Sequence, residues 1–256
     1  MKLLKLLAAS TILGASLFAN EVITVGATPV PHAEILEQTK DLLKKEGYTL
    51  EIKEFNDYVL PNLSTDSKEL DANFFQHQPY LDEFNANKGT KLISVAKIHI
   101  EPMAVYSKKY KNIQDLPQNA TIAVPNDPTN ESRALDIIAS TKLVSFDNSA
   151  LKTPLDIKDN PKNIKFKELK AAQLPRALDD VDFAVINSNY ALSANLNPVK
   201  DSILIESKES PYANILVTTQ DNKDNPKIKA LVKALQSQKV KDFINEKYQG
   251  AVVPAF

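Results

Sequence analysis

The chain has 256 residues, no cysteine and a formal net charge of -1. The missing cysteine excludes disulfides, thiol catalysis and thiolate metal sites. A near-neutral charge without a basic run gives no electrostatic footprint for nucleic acid. Hydrophobic residues at 43% and charged residues at 25% suit a soluble globular protein of one large domain or two modest ones.

Met1 to Ala19 reads as a targeting segment. Lys2 and Lys5 come first, an apolar run from Leu6 to Leu17 follows, and small residues close it, the order of a cleaved secretory signal. The run is shorter than the ~20 residues of a spanning helix. Export to the periplasm is therefore expected. Leu13-Gly14-Ala15-Ser16 has the outline of a lipoprotein cleavage box, but Ser16 stands at the position of the acylated cysteine, so no lipid anchor is expected.

Val22 to Ala27 is a β-branched run ending near Gly26, a buried first strand. Ile35, Leu36, Leu42 and Leu43 recur on one helical side up to Gly47. Tyr48 to Phe55 alternates as a second strand, so the order is that of a parallel βαβ unit. Asn56-Asp57 can cap a short helix containing Pro61. Leu70 to Phe75 reads as a strand, Pro79 to Gly89 as a helix, and Lys91–Lys97 and Ile98–Tyr106 as two further strands. Thr121–Val124 is a strand, and Pro128 suits the first turn of a helix through Ser140. Ile164–Leu169 and Phe183–Ile186 are strands separated by a helix over Ala172–Leu178. After Ile203–Ile205 the chain crosses back to a strand over Ala213–Thr218 and closing helices between Ile228 and Tyr248.

This pattern predicts two α/β lobes with the chain crossing between them. Lobe I is expected at 20–107 and 205–256, lobe II at 108–204, with a ligand cleft between them. The five glycines form no dinucleotide fingerprint or phosphate loop. No nucleophile elbow, metalloprotease helix or paired catalytic signature occurs, so an enzyme is not expected and no cofactor is implied. The three histidines, His32, His77 and His99, lack the spacing of helical zinc sites. Their convergence in space with Glu101 or an aspartate would define the alternative function, a periplasmic metal-binding transport protein using His77 and carboxylates.

Five stretches are more specific. They are Phe55-Asn56-Asp57-Tyr58-Val59-Leu60-Pro61-Asn62; Asp71 through Leu81; Val124-Pro125-Asn126-Asp127-Pro128-Thr129-Asn130; Gln173-Leu174-Pro175-Arg176 with Ala184-Val185-Ile186-Asn187; and Glu209-Ser210-Pro211-Tyr212-Ala213-Asn214. Together, in this order, they closely resemble the NlpA/MetQ family of methionine-binding transport proteins, from about Val22 to the C terminus. The resemblance implies an α/β, bilobal periplasmic-binding-protein fold of type II-like form that closes on methionine, or on a related methionine-containing ligand, and delivers it to an ABC permease and ATPase; a monomer is expected. Carried over residue by residue, it implies a ligand site of Tyr58, Phe75, His77, Tyr80, Arg133, Asn187 and Asn214.

The chemistry of these side chains agrees. Aromatic rings pack favourably against a thioether. A guanidinium can grip an α-carboxylate with two parallel hydrogen bonds, and an amide can donate to that carboxylate or accept from an ammonium. The helix start at Pro128 would add a favourable dipole. Without the resemblance, Phe75 suits a core, Tyr58 and Tyr80 suit surface-to-core anchors, Arg133 suits a salt bridge, and the two asparagines suit turns. Arg176 is expected in a structural ion pair. Glu131 and Ser132 stand where family members more often carry small residues near glycine, which would alter the rim of the site.

Overall fold

The β-branched run forms strand β1 (Glu21–Ala27). The computed structural model describes residues 20–207 and 210–256; the targeting segment expected at 1–19, with Ser16, and also Glu209 lie outside the described residues. Two short helices, α1 (Glu34–Glu37) and α2 (Lys40–Lys45), follow where one was expected. Their shared apolar side, Ile35, Leu36 and Leu43, is buried. Gly47 reverses the chain at φ +87°, a left-handed conformation in which a glycine has no Cβ to clash. Strand β2 (Tyr48–Glu54) then lies parallel to β1, with Glu21 opposite Tyr48 and Ala27 opposite Glu54. The βαβ reading of this region holds.

Helix α3 (Leu60–Asp66) is prepared by Asp57, whose Oδ1 accepts from the N–H of Val59 at 2.7 Å and of Leu60 at 2.8 Å. Amides at a helix start have no intrahelical partner, so this side chain stabilises the entry. Strand β3 (Ala72–His77) is buried along its length and runs parallel to β1. His77 then caps α4 (Gln78–Lys88).

Strand β4 (Leu92–Ile100) is continuous across the break expected at residues 97 and 98. The interruption comes later, at Glu101-Pro102-Met103, where Pro102 has no N–H to give a ladder. The next strand, β5 (Ala104–Tyr106), belongs to a second sheet. The expected lobe I limit at 107 therefore takes in a strand that pairs in the other sheet. The crossing lies at 101–103.

The second lobe continues with β6 (Thr121–Pro125), α5 (Pro128–Ala139), the short antiparallel pair β7 (Ser145–Phe146) and β8 (Ile157–Asp159), and β9 (Lys165–Leu169). Helix α6 (Leu174–Ala177), β10 (Phe183–Ile186), α7 (Ser188–Ser193) and β11 (Leu204–Ile205) complete it. Its sheet order is β11-β5-β10-β6-β9. Both faces are covered. Phe183 and Val185 pack with Val124, Leu135 and Ile138, while Ala184 and Ile186 pack with Leu174 and Leu178. A side chain of the Val, Ile or Phe kind contributes about 1.5–3 kcal/mol when fully buried, so this alternation fixes which residues face α5.

The chain returns through β12 (Ala213–Thr219), α8 (Pro226–Leu235), α9 (Gln238–Tyr248) and β13 (Val253–Pro254). The first sheet then reads β13-β4-β12-β3-β1-β2. Ile23, Val25, Phe74 and Leu216 meet Ile228, Leu231, Leu235 and Ile244 on one face. Leu81, Leu92, Ile215 and Val217 form a smaller cluster. The two crossings are tied together, since Glu206 N–H donates to the Met103 carbonyl at 2.9 Å and Met103 N–H donates to Glu206 Oε2 at 3.2 Å. Among the described residues no helix is long and apolar enough to cross a membrane.

Candidate ligand-binding site

The ends of several strands meet between the lobes. His77 closes β3, Asn187 follows β10, Asp127 follows β6, and Asn214 opens the antiparallel β12. Open α/β sheets place ligands at such ends. The cavity there is lined by Tyr58, Phe75, His77, Tyr80, Arg133, Asn187 and Asn214, so all seven residues singled out from the sequence come together. Gln76, Glu101, Asn130, Ser188 and Asn189 also line it; sequence reasoning did not select them for the ligand.

The aromatic end is built by lobe I. Phe75 is buried and Tyr58 half-buried, their ring centroids 5.7 Å apart, and Tyr80 stands edge-on to both. Tyr80 Oη donates to the Tyr58 carbonyl at 2.9 Å, which fixes the loop carrying Tyr58. Below them Asn62, Asn73, Gln76 and Thr65 form a buried network, with Gln76 Nε2 donating to Asn62 Oδ1 at 2.6 Å and Asn73 Nδ2 to Thr65 Oγ1 at 2.8 Å. Satisfied buried polar networks hold their members in one arrangement, so Gln76 presents a fixed floor.

The lobes touch across the cleft. Tyr58 Oη donates to Asn189 Oδ1 at 2.6 Å, and Tyr190 Oη to the Asn56 carbonyl at 3.3 Å. His77 Nδ1 accepts from Tyr80 N–H, which leaves the proton on Nε2 to donate to Asn130 Oδ1 at 3.2 Å. Burial, and after it the Arg133 charge, push His77 down to about 3. It is a neutral wall of the cavity at neutral pH.

The polar end has free hydrogen-bonding capacity of both signs. Asn187 Nδ2 donates to Asn130 Oδ1 at 2.8 Å, while its Oδ1 is buried and has no partner among the described residues. An orphaned acceptor costs about 1–3 kcal/mol, which an incoming ammonium would relieve. Asn214 is reversed: its Oδ1 faces His32 Nε2 at 3.0 Å, and its Nδ2 has no partner among the described residues.

Arg133 departs from the expected fork. Its Nε donates to Glu206 Oε1 at 3.0 Å, its Nη2 donates to Glu206 Oε2 and, at 2.9 Å, to the Glu101 carbonyl. The guanidinium carbon lies 4.2 Å from the Tyr212 ring centroid, a cation–π contact. Glu206 thus takes the bidentate edge, and Nη1 has no partner among the described residues. The start of α5 is likewise occupied, because Asp127 Oδ1 accepts from Asn130 N–H at 3.0 Å and Asn130 Nδ2 at 2.8 Å. Arg176 is exposed and makes no ion pair among the described residues. Glu131 is held up to about 8 by burial and by the Glu168 carboxylate, and it does not line the cavity.

Two histidines do converge on Glu101. His32 Nε2 lies 3.1 Å and His99 Nε2 2.7 Å from Glu101 Oε1, and the donor atoms of the three lie within 4.8 Å of one another. His77, central to the metal-binding alternative, stands outside this group with both ring nitrogens engaged. Burial lowers His32 to about 4 and His99 to about 3, so both rings are neutral; His99 Nε2 donates to Glu101 Oε1, and burial holds the Glu101 carboxyl above its usual range. Within this cluster His99 Nδ1 is buried and has no partner among the described residues.

Two α/β lobes joined by paired crossings, with a half-aromatic, half-polar cavity at the strand ends between them, define a bilobal substrate-binding protein. The chain belongs to the NlpA lipoprotein family, whose model matches residues 23–256. It is 44% identical over 239 residues to the methionine-binding lipoprotein MetQ of Bacillus subtilis (strain 168), across 91% of this chain and 87% of that protein. A solved nutrient-binding protein from Burkholderia cenocepacia bound to methionine is 49% identical, with a TM-score of 0.89 over 91% of this chain and 100% of that one. An ABC transporter periplasmic substrate-binding protein from Coxiella burnetii matches at a TM-score of 0.88 and 40% identity, over 91% and 100% of the two chains.

Proposed function

We propose that the chain is an exported, monomeric solute-binding protein that captures methionine, or a closely related methionine-containing ligand, for an ABC permease and ATPase. The observation that carries the reading is the opposed polarity of Asn187 and Asn214. Among the described residues Asn187 Oδ1 and Asn214 Nδ2 have no partner, and both residues line a single cavity that ends in Tyr58, Phe75, His77 and Tyr80. An α-amino acid presents an ammonium and a carboxylate from one carbon, which fits that pair, and Nη1 of Arg133 adds charge for the carboxylate. An unbranched thioether suits the rings, and a charged side chain there would be buried without a partner. The solved methionine complex and the transporter component among the relatives support the same reading.

Native mass spectrometry of protein purified from its cells, followed by calorimetry on refolded, ligand-free protein, tests it. The expected results are a co-purified mass of methionine and an affinity order of methionine, norleucine, then glutamate and lysine far behind. Equal or tighter binding of a charged amino acid refutes the assignment of the four rings.

A further inference from the structure

The reading above leaves unused a buried cluster of two neutral histidines and a carboxyl group, His32, His99 and Glu101, beside the first crossing. All three are 6% exposed or less, and Glu101 lines the cavity. Two buried rings and a carboxylate are costly to retain unless they do something that apolar side chains would not.

We propose that His32 is a positioning residue, set by Glu101, that fixes which end of the Asn214 amide faces the ligand. This rests on the ligand being an α-amino acid. Glu101 Oε1 lies 3.1 Å from His32 Nε2. A carboxylate oxygen beside Nε2 favours the tautomer with the proton on that nitrogen. Nδ1 is then the acceptor, and Thr28 Oγ1 donates to it at 2.7 Å. The ring is held edge-on to Phe74, centroids 4.7 Å apart. His99 Nε2 donates to the same Glu101 oxygen at 2.7 Å and helps keep that oxygen an acceptor.

With its proton fixed, His32 Nε2 also faces the Asn214 amide, at 3.0 Å. An N–H selects the oxygen of an amide and rejects its NH2. Asn214 must therefore turn Nδ2 toward the cavity, where it can donate to a carboxylate but not accept from an amine or amide. Without His32 the amide could present either end. The relay therefore governs specificity for a free carboxylate. Its residues are distant in the chain, with 182 positions between His32 and Asn214.

The test compares methionine with methioninamide, which replaces the carboxylate by a neutral amide. Calorimetry is run on the wild type, His32→Phe and His32→Gln, each shown to be folded by melting. In His32→Phe the preference for methionine over methioninamide falls by about tenfold or more, the scale of one hydrogen bond to a charged group. His32→Gln keeps an N–H donor, and the preference stays within about threefold of wild type. A preference unmoved in His32→Phe overturns the proposal. Equal losses in both variants overturn it too, since packing rather than the N–H would be responsible. Nitrogen-15 spectra of the wild type with labelled histidine read the tautomer directly, even where a variant fails to fold. A neutral His32 protonated on Nε2 is expected, and protonation on Nδ1 overturns the relay. Failure of the wild type to bind methionine at all would instead remove the proposed function, and the relay with it.

Discussion

Arg133 gives the sharpest test of the binding site, and its surroundings dictate how the test is built. Arg133→Ala takes the cation from the proposed ligand carboxylate and, at the same time, from Glu206. The two side chains are only 5% and 14% exposed. Removing one partner of a buried pair costs about 3–5 kcal/mol of stability, because the other charge is stranded. The single variant thus mixes lost binding with lost structure. Arg133→Ala combined with Glu206→Gln removes both charges, and most of the stability should return. The affinity should not. A buried carboxylate deprived of its cation typically loses about 2–5 kcal/mol, and at about 1.4 kcal/mol per tenfold this is thirty-fold or more. Calorimetry with methionine and thermal melting of the ligand-free proteins give the two numbers separately. Methionine bound by the folded double variant within about threefold of wild type would show that the carboxylate is held elsewhere.

Asn187→Ala should weaken methionine about ten- to hundred-fold, since a hydrogen bond to a charged group contributes about 1.5–3 kcal/mol; its ligand-free melting should hardly fall, because the same change removes an orphaned oxygen. Unchanged affinity by calorimetry would contradict the ammonium role. Tyr58→Phe keeps the ring but deletes the bond to Asn189, so dissociation in stopped-flow displacement should quicken by about three- to tenfold at a constant association rate. An unaltered dissociation rate would mean that this bond does not latch the lobes. His77 is depressed from 6.5 to about 3 by burial first and Arg133 second. Between those values the unfolded chain binds a proton that the folded one does not, so His77 makes the fold lose stability as pH falls from 6.5 toward 3. His77→Gln should flatten that dependence by about 1.4 kcal/mol per pH unit in denaturant unfolding, and an identical slope would refute the argument.

What could be read from the sequence was whatever leaves a local mark. The β-branched run of β1, the alternation of β2 and the Phe183–Ile186 strand announced themselves through side-chain periodicity, and Asp57 as a helix cap through its position. Six of the seven proposed ligand residues sit inside a short ordered motif, and Arg133 lies three positions past one. Asn130 lay inside a quoted motif yet passed as a helix-start residue, although it bridges His77 and Asn187. Glu206 left no trace, since it meets Arg133 across 73 positions, and Glu101 stood out only beside the histidines. The misplaced break in β4 has a similar origin. Ile98 to Tyr106 is apolar enough to pass for one strand, and only pairing partners show that β5 hydrogen-bonds in another sheet.

Arg133 holds the backbone of one crossing through the Glu101 carbonyl and the side chain of the other through Glu206. The same guanidinium faces the cavity. Grip and pivot are therefore one part. A substitution at either crossing, outside the cavity wall, will be felt as a change in how tightly cargo is held, and any change in cargo chemistry at the carboxylate will alter how freely the lobes swing. If Arg133 holds the cargo as proposed, a variant selected for a new ligand should be sought with paired changes at Glu206 rather than at the cavity wall alone.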